Sequence, residues 1–113
     1  MKEKKQDSCN FKLMASRDAI EAIQGKWRIP ILIALTYGNK RFGEIKNQLP
    51  DISPKMLSKE LKQLEANQLI SRLVYDSMPV SIEYSLTPLG KSLNNLIDEL
   101  LKWGIHFRKT LIK

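Results

Sequence analysis

The fold is decided by the stretch Ser53-Pro-Lys-Met-Leu-Ser-Lys-Glu-Leu-Lys-Gln-Leu-Glu-Ala-Asn67. A serine followed by proline is a typical helix start, because the hydroxyl accepts a hydrogen bond from a first-turn amide and proline needs no donor there. Leucines at 57, 61 and 64 then recur at helical spacing and give the helix one apolar face. The opposite face is basic and polar, and it carries Lys55, Ser58, Lys59, Lys62 and Gln63.

A second, shorter helix precedes this one. It is predicted from Glu44 to Leu49, and the short link Pro50-Asp51-Ile52 joins the two. Two helices joined by so tight a link are typical of a helix-turn-helix, whose second helix faces solvent. Our hypothesis is that this exposed face enters the major groove of DNA. The alternative is an ordinary amphipathic helix, since small soluble domains often expose lysines in this way.

Length and composition narrow the class of protein. The chain has 113 residues, which suits one domain, and its 19 Lys and Arg against 12 Asp and Glu give a net charge of +7 and a pI near 9.6. This balance favours a polyanionic partner, although membranes and acidic proteins also attract basic chains. No apolar run reaches the ~20 residues of a membrane span, and we expect no secretory signal. With Cys9 as the single cysteine, we expect a cytoplasmic protein with no internal disulfide.

The chain is predicted to have two regions. Residues 1–12 are polar and rich in lysine, which predicts a flexible basic arm, and residues 13–113 form the single domain. Within that domain, a first helix is expected from Ser16 to about Gly25, with Ile20 on its apolar stripe.

The next segment is predicted to be the central core helix. It runs from Trp27 to Gly38, has Pro30 in its first turn and is apolar nearly all round. Trp27 could stack on a ligand or pack between two helices, and both interpretations are open at this stage.

A turn with three nearby cations precedes the helix pair. It has room for a very short strand at residues 41–42, and Lys40, Arg41 and Lys46 lie beside the predicted DNA surface. These cations could hold phosphates, a positioning role that is independent of base sequence. They could equally be ordinary solvated surface side chains.

A β-hairpin is predicted after the helix pair. Residues 70–75 are rich in β-branched and aromatic side chains, residues 76–79 form a turn, and residues 80–86 alternate between apolar and polar. A hairpin that follows a recognition helix is the wing of a winged helix-turn-helix, with Arg72 as its nearest cation. Alternatively, the hairpin merely closes the core of a generic α+β domain.

A long C-terminal helix is predicted from the capping pair Thr87-Pro88, with apolar residues at helical spacing over about five turns. This apolar surface exceeds what one small domain needs, so it suggests a dimer interface shared with the first helix. The alternative is that the helix folds back and buries its own face. The predicted interface residues are Ile20, Leu93, Leu96, Leu100, Trp103 and Phe107.

Together these segments resemble one family. The motifs are Gly25-Lys26-Trp27, Arg41-Phe42-Gly43-Glu44-Ile45, Ile52-Ser53-Pro54-Lys55-Met56-Leu57, the later Leu61, Leu64 and Glu65, and Tyr84-Ser85-Leu86-Thr87-Pro88-Leu89-Gly90. In this order and spacing they resemble the HxlR-type transcription regulators, small bacterial and archaeal dimers related to the MarR group. The resemblance spans about residues 14–103. It implies an α+β, mainly helical winged helix-turn-helix with a two-stranded wing and with N- and C-terminal dimerisation helices.

The resemblance also implies a function. We expect a homodimeric regulator, most often a repressor, that binds double-stranded DNA at a pseudo-palindromic operator. Base edges are assigned to Lys55, Met56, Ser58 and Lys59, and phosphates to Lys62, Gln63 and the amides near Ser53. The predicted DNA-binding residues are thus Ser53, Lys55, Met56, Ser58, Lys59, Lys62, Gln63, Lys40, Arg41, Lys46 and Arg72.

Two features depart from the family pattern. Many members carry a cysteine followed by proline at the start of the first helix, and in some of them this cysteine senses oxidants. Here Met14-Ala15 takes that place and Cys9 lies five residues upstream, so the position that carries the sensing cysteine in those members has none. The wing turn also lacks the usual basic residue and has Asp76 instead, which transfers phosphate binding to the helix and the flanking cations.

Other functional classes fit less well. An enzyme is not expected, because His106 is the only histidine, no metal-ligand spacing occurs, and neither a phosphate-binding glycine loop nor a nucleophile elbow is present. No cofactor is predicted, and the sequence identifies no small-molecule effector. The alternative function is a winged-helix module that docks proteins without specific DNA binding.

Overall fold

The structure, a computed structural model, describes the backbone of residues 2–112 and the side chains of residues 8–112. Within this range it is mainly helical with one two-stranded antiparallel sheet, which confirms the predicted fold class. The elements in chain order are α1 (Lys2–Ile23), α2 (Arg28–Thr36), α3 (Phe42–Gln48), α4 (Pro54–Ala66), β1 (Ile70–Tyr75), β2 (Ser81–Leu86), α5 (Pro88–Lys91) and α6 (Asn94–Leu111).

The core forms around α2, as its apolar sequence predicts. Ile31, Leu32 and Leu35 of this helix are buried, together with apolar residues from α3, α4, the hairpin and α6. Trp27 is half-buried against the same cluster, and the Lys26 Nζ lies 5.0 Å from the centre of its ring. This position supports the packing interpretation of Trp27.

The helix-turn-helix has the predicted caps and core contacts. The Ser53 Oγ accepts a hydrogen bond from the Met56 amide at 3.1 Å, and Pro54 opens α4. Leu57, Leu61 and Leu64 are fully buried. Helix α3 begins at Phe42, two residues before the predicted start, because the Arg41 amide donates to the Glu44 carboxylate at 2.8 Å and caps the first turn.

The hairpin has a regular antiparallel register from the pair Ile70 and Leu86 to the pair Tyr75 and Ser81. A third short segment joins it, since Lys40 and Tyr84 exchange two backbone hydrogen bonds at 2.7 and 3.0 Å. The short strand expected at residues 41–42 is therefore a single bridge at Lys40, because Arg41 already belongs to the start of α3.

Helix α1 begins at Lys2 and not at Ser16. Residues 2–15 contain many strong helix formers, and neither glycine nor proline occurs before Gly25, so nothing stops the helix from extending backwards. Ser16 is not a cap, since its hydroxyl donates to the Leu13 carbonyl at 2.8 Å inside the helix. Residues 2–12, which belong to the predicted flexible basic arm, have a helical backbone.

The predicted C-terminal helix is divided in two. The short α5 ends at Lys91, and α6 begins at Asn94 after a turn in which the Ser92 hydroxyl donates to the Leu89 carbonyl at 2.5 Å. The turn lets Leu93 and Ile97 pack on the core while the rest of α6 leaves it.

The two long terminal helices extend away from the body of the protein. The radius of gyration is 17.4 Å, whereas a compact domain of this length would have about 13 Å. Residues 8–21 of α1 are exposed throughout, and Ile97 is the buried residue of α6. Among the described residues, no helix is long and apolar enough to cross a membrane.

Candidate nucleic-acid interface

The exposed face of α4 forms one continuous polar surface. Five of the predicted DNA-binding side chains line a single shallow cleft of about 490 Å³ along the helix: Lys55, Ser58, Lys59, Lys62 and Gln63. They share this face because the buried leucines hold the opposite side of α4 against the core. Three lysines on one exposed helix face create a positive potential suited to a polyanion.

The N-terminal end of α4 has both a polar and an apolar component. The Met56 amide donates to the Ser53 hydroxyl, so this first-turn amide is already paired within the protein. The Met56 side chain is 36% exposed and lies beside the lysine face. A thioether in this place could contact a thymine methyl group, whereas the Ser53 hydroxyl keeps its own proton for a phosphate oxygen.

The flanking cations differ in how they are held. Lys40 is fixed beside the hairpin by its backbone pairing with Tyr84, and the exposed Arg41 stands at the start of α3. The Lys46 Nζ donates to the Pro50 carbonyl at 2.9 Å, so this half-buried side chain braces the turn between α3 and α4. An ammonium has three donors, and Lys46 therefore combines this structural contact with positive charge near the surface.

Arg72 extends the basic surface toward the wing. It lines a cleft of about 250 Å³ between α4 and the hairpin, together with Ser58, Lys62 and Tyr84. The structure thus brings Arg72 next to the lysine face, although the two are separated in sequence.

The wing tip has a different character from the rest of this surface. Met78 is 98% exposed, Val80 is 59% exposed, and the stretch from Leu73 to Glu83 contains two acids and no cation. Phosphate contacts are therefore expected from α4 and the flanking cations, and not from the tip of the wing.

An ion pair behind α4 was not predicted from the sequence. The Arg28 Nε donates to the Glu60 Oε2 at 2.8 Å, and both side chains are 17% exposed. The two residues lie 32 positions apart, and no local pattern relates them. The pair neutralises a carboxylate on the helix that carries the basic face.

The predicted dimer residues are largely exposed. Ile20 of α1 is 58% exposed, and a stripe on α6 exposes Leu96, Leu100, Trp103 and Phe107 by 43–60%. The Trp103 and Phe107 rings stack with centroids 4.9 Å apart and planes 13° apart. An exposed apolar surface of this extent is typical of an interaction site.

Leu93 differs from the other predicted interface residues. It is half-buried against the protomer's own core, because the turn before α6 directs it inward.

Comparisons with known proteins agree with this geometry. A sequence model of the HxlR-like helix-turn-helix family matches residues 22–111. The HTH-type transcriptional regulator YtcD of Bacillus subtilis strain 168 is 45% identical over 85 residues, which cover 75% of this chain and 68% of that protein.

Solved structures show the same fold. A crystal structure of the HTH-type transcriptional regulator ytcD superposes with a TM-score of 0.80 at 40% identity and covers 83% of this chain and 96% of that one. A MarR-family regulator from Enterococcus faecalis V583 superposes with a TM-score of 0.79 at 31% identity, over 88% and 90% of the two chains. The protein therefore belongs to the HxlR-like helix-turn-helix family, whose members are DNA-binding transcriptional regulators and not enzymes.

Proposed function

We propose that this regulator is a homodimeric repressor that recognises a pseudo-palindromic operator through α4 and acts on DNA in the cytoplasm. The single observation that carries the proposal is the exposed face of α4, on which three lysines and two polar side chains line one cleft. The paired carboxylate of Glu60 does not oppose this charge.

In the proposed complex, the N-terminal half of α4 lies in the major groove. Lys55 and Lys59 are long enough to reach guanine O6 and N7, and Ser58 can donate or accept at either base pair. Lys62 and Gln63 lie further along the same face and meet phosphates. The specificity of binding then resides in the first turns of α4.

The flanking cations set the register of the protein on the duplex. Lys40 pairs with the hairpin, Arg41 stands at the start of α3, and Arg72 borders the cleft beside α4, so each can meet phosphates that border the groove. Lys46 adds charge while it braces the turn. These contacts are independent of base sequence and contribute affinity that falls with salt.

The dimer would form through the terminal helices. Exposing a stacked tryptophan and phenylalanine to water is unfavourable, and covering the α6 stripe with the same stripe of a second copy removes that cost. A two-fold axis would then place two α4 helices on half-sites about 34 Å apart, or a multiple of that distance. Repression is the sign of regulation that the family resemblance implies.

A second candidate function rests on the wing. Its exposed, apolar and acidic tip suits a protein surface better than a phosphate backbone. In a docking module without specific DNA binding, this tip would carry the contact, and the affinity for DNA would show no preference for sequence.

The test is a matched pair of lysine variants on an operator selected from random DNA. Lys59→Ala should weaken operator binding by about 1–3 kcal/mol and leave binding to random DNA less affected, because it removes a base contact. Lys109→Ala, which removes the same charge from the exposed polar side of α6, should change operator binding little. Equal losses for Lys59→Ala on operator and random DNA would reduce Lys59 to a phosphate contact.

A further inference from the structure

One arginine joins three helices behind the DNA-binding face. Arg28 is the first residue of α2, and its Nε donates to the Glu60 carboxylate of α4 at 2.8 Å. Its Nη1 donates to the Glu21 carbonyl at 2.8 Å and to the Ala22 carbonyl at 3.4 Å in α1. One planar guanidinium therefore holds the end of α1 and the middle of α4 at the same time.

At the end of α1, the Arg28 guanidinium pairs backbone carbonyl groups in the last turn of the helix. The last carbonyls of a helix have no partner within it, and they form the negative end of the helix dipole. Glu21 and Ala22 lie in the last turn of α1, before Gly25 turns the chain with a φ of +105°. Arg28 thus caps α1 from the following helix, with a rigid fork that lysine cannot reproduce.

The α4 end of this contact lies beside the lysine face. Glu60 follows Lys59 directly, and its carboxylate is directed toward α2 by the ion pair. With each side chain 17% exposed, the pair is less screened than a surface ion pair, and losing either partner would leave a partly buried charge unpaired.

An open polar space also lies between α1 and α4. A polar cleft of about 350 Å³ lies between them and is lined by Arg28, by side chains of α1 and by Gln63 and Asn67 at the end of α4. The apolar residues at the end of α1, Ala22 and Ile23, pack on the core instead, and the guanidinium is a polar contact that spans the cleft.

From this geometry we propose that Arg28 is a positioning residue, which fixes the angle of α4 relative to α1 and thereby the separation of the two recognition helices in the dimer. The inference rests on the proposed function, since α1 is part of the proposed dimer and α4 reads the DNA. Arg28 and Glu60 act as one unit, and neither needs to touch a base.

The first test uses operators whose two half-sites are moved apart or together by one base pair. The wild-type protein should bind the operator with the native spacing most tightly. In Arg28→Gln, the ratio of affinities for native and altered spacing should fall about tenfold, which is the effect of losing one good base contact. Glu60→Gln should lose part of the preference, and the double variant should lose no more than Arg28→Gln alone.

The control is Glu65→Gln, which removes the same charge from the same helix at an exposed position away from Arg28. It should retain the spacing preference. If Arg28 only stabilised the fold, its loss would lower the fraction of folded protein and weaken binding to all operators equally. An unchanged preference for the native spacing in Arg28→Gln and Glu60→Gln would therefore overturn the inference.

A second measurement does not need DNA. Spin labels at Cys9 on α1 and at position 62 on α4 of the Lys62→Cys variant report the distance between the two helices. The labelled protein is diluted into unlabelled protein, so that the distance is measured within one chain. The distance distribution should be narrow in the wild type, broader in Arg28→Gln and unchanged in Glu65→Gln.

The two measurements separate the two claims. If the wild type binds all DNA equally while the distribution still broadens in Arg28→Gln, the proposed function fails and the role of Arg28 in holding α4 stands. A distribution as narrow in Arg28→Gln as in the wild type would overturn the inference, whatever the DNA measurements show.

Discussion

Gly90 lies where the joint between the hairpin and the C-terminal helices leaves no room for a side chain. A Cβ placed on it would lie 2.0 Å from the Leu69 carbonyl oxygen and 3.3 Å from the Leu86 Cδ2. Around this point the Gly90 amide donates to the Thr87 hydroxyl at 2.9 Å, and the Thr87 amide donates to the same Leu69 carbonyl at 3.1 Å. Gly90→Ala is therefore expected to disrupt the joint that directs α6 away from the core.

The size of the effect follows from these contacts. An ordinary contact needs about 3.4 Å, so α5 or the backbone of Leu69 must move by about 1.4 Å. Such a shift strains a packed site and weakens at least one part-buried hydrogen bond, which together cost about 3 kcal/mol. For a chain of this length, that loss should lower the Tm by about 12 °C.

Thermal unfolding followed by circular dichroism, at one fixed protomer concentration, measures this change. Gly43→Ala is the matched control, because a Cβ at Gly43 in α3 meets nothing within 4 Å and should be neutral or stabilise by up to ~1 kcal/mol. If Gly90→Ala melted within about 3 °C of the wild type, on the scale that relates ΔΔG to Tm, the reasoning from close packing would be refuted.

Three further predictions concern caps and the dimer face. Ser53→Ala removes the hydroxyl that accepts from the Met56 amide and should destabilise the protein by about 1 kcal/mol in a urea titration; an unchanged midpoint would mean that the cap contributes nothing. Gln68 has a φ of 61° just after α4, so Gln68→Gly should stabilise by about 1 kcal/mol, and a loss of stability would contradict the conformational argument. Trp103→Asp should sediment as a monomer at concentrations where wild type and Lys109→Asp are dimers; a tight Trp103→Asp dimer would show that the interface lies elsewhere.

The sequence predicts α4 and the hairpin well because their signals are local. A serine and a proline mark the start of α4, the leucines keep one period throughout, and β2 alternates strictly between apolar and polar residues. The five side chains assigned to the exposed face of α4 accordingly line a single cleft in the structure.

The ends of the terminal helices were harder to predict. Low hydrophobicity in residues 1–12 indicates an arm, but helix propensity continues through the same residues and α1 extends to Lys2. Likewise, the apolar period runs without interruption from Leu89 to Leu96, so it gives no sign of the turn at Ser92. That turn follows from tertiary packing against the core.

The contact between Arg28 and Glu60 has no signal in a single sequence. Both residues belong to helices whose apolar faces explain their placement, and neither falls in a pattern that points to the other. Such a long-range ion pair becomes visible only when α1, α2 and α4 are placed together.

The most direct test of the account is a binding titration of the wild-type protein. The two duplexes are the DNA upstream of its own gene and a scrambled duplex of the same composition, at about 50 and 200 mM salt. The account predicts tighter binding to the upstream DNA, and a loss of about 10³–10⁵ in affinity between the two salt concentrations for a dimer that contacts about eight phosphates. Weak binding that is equal for both duplexes and insensitive to salt would contradict it.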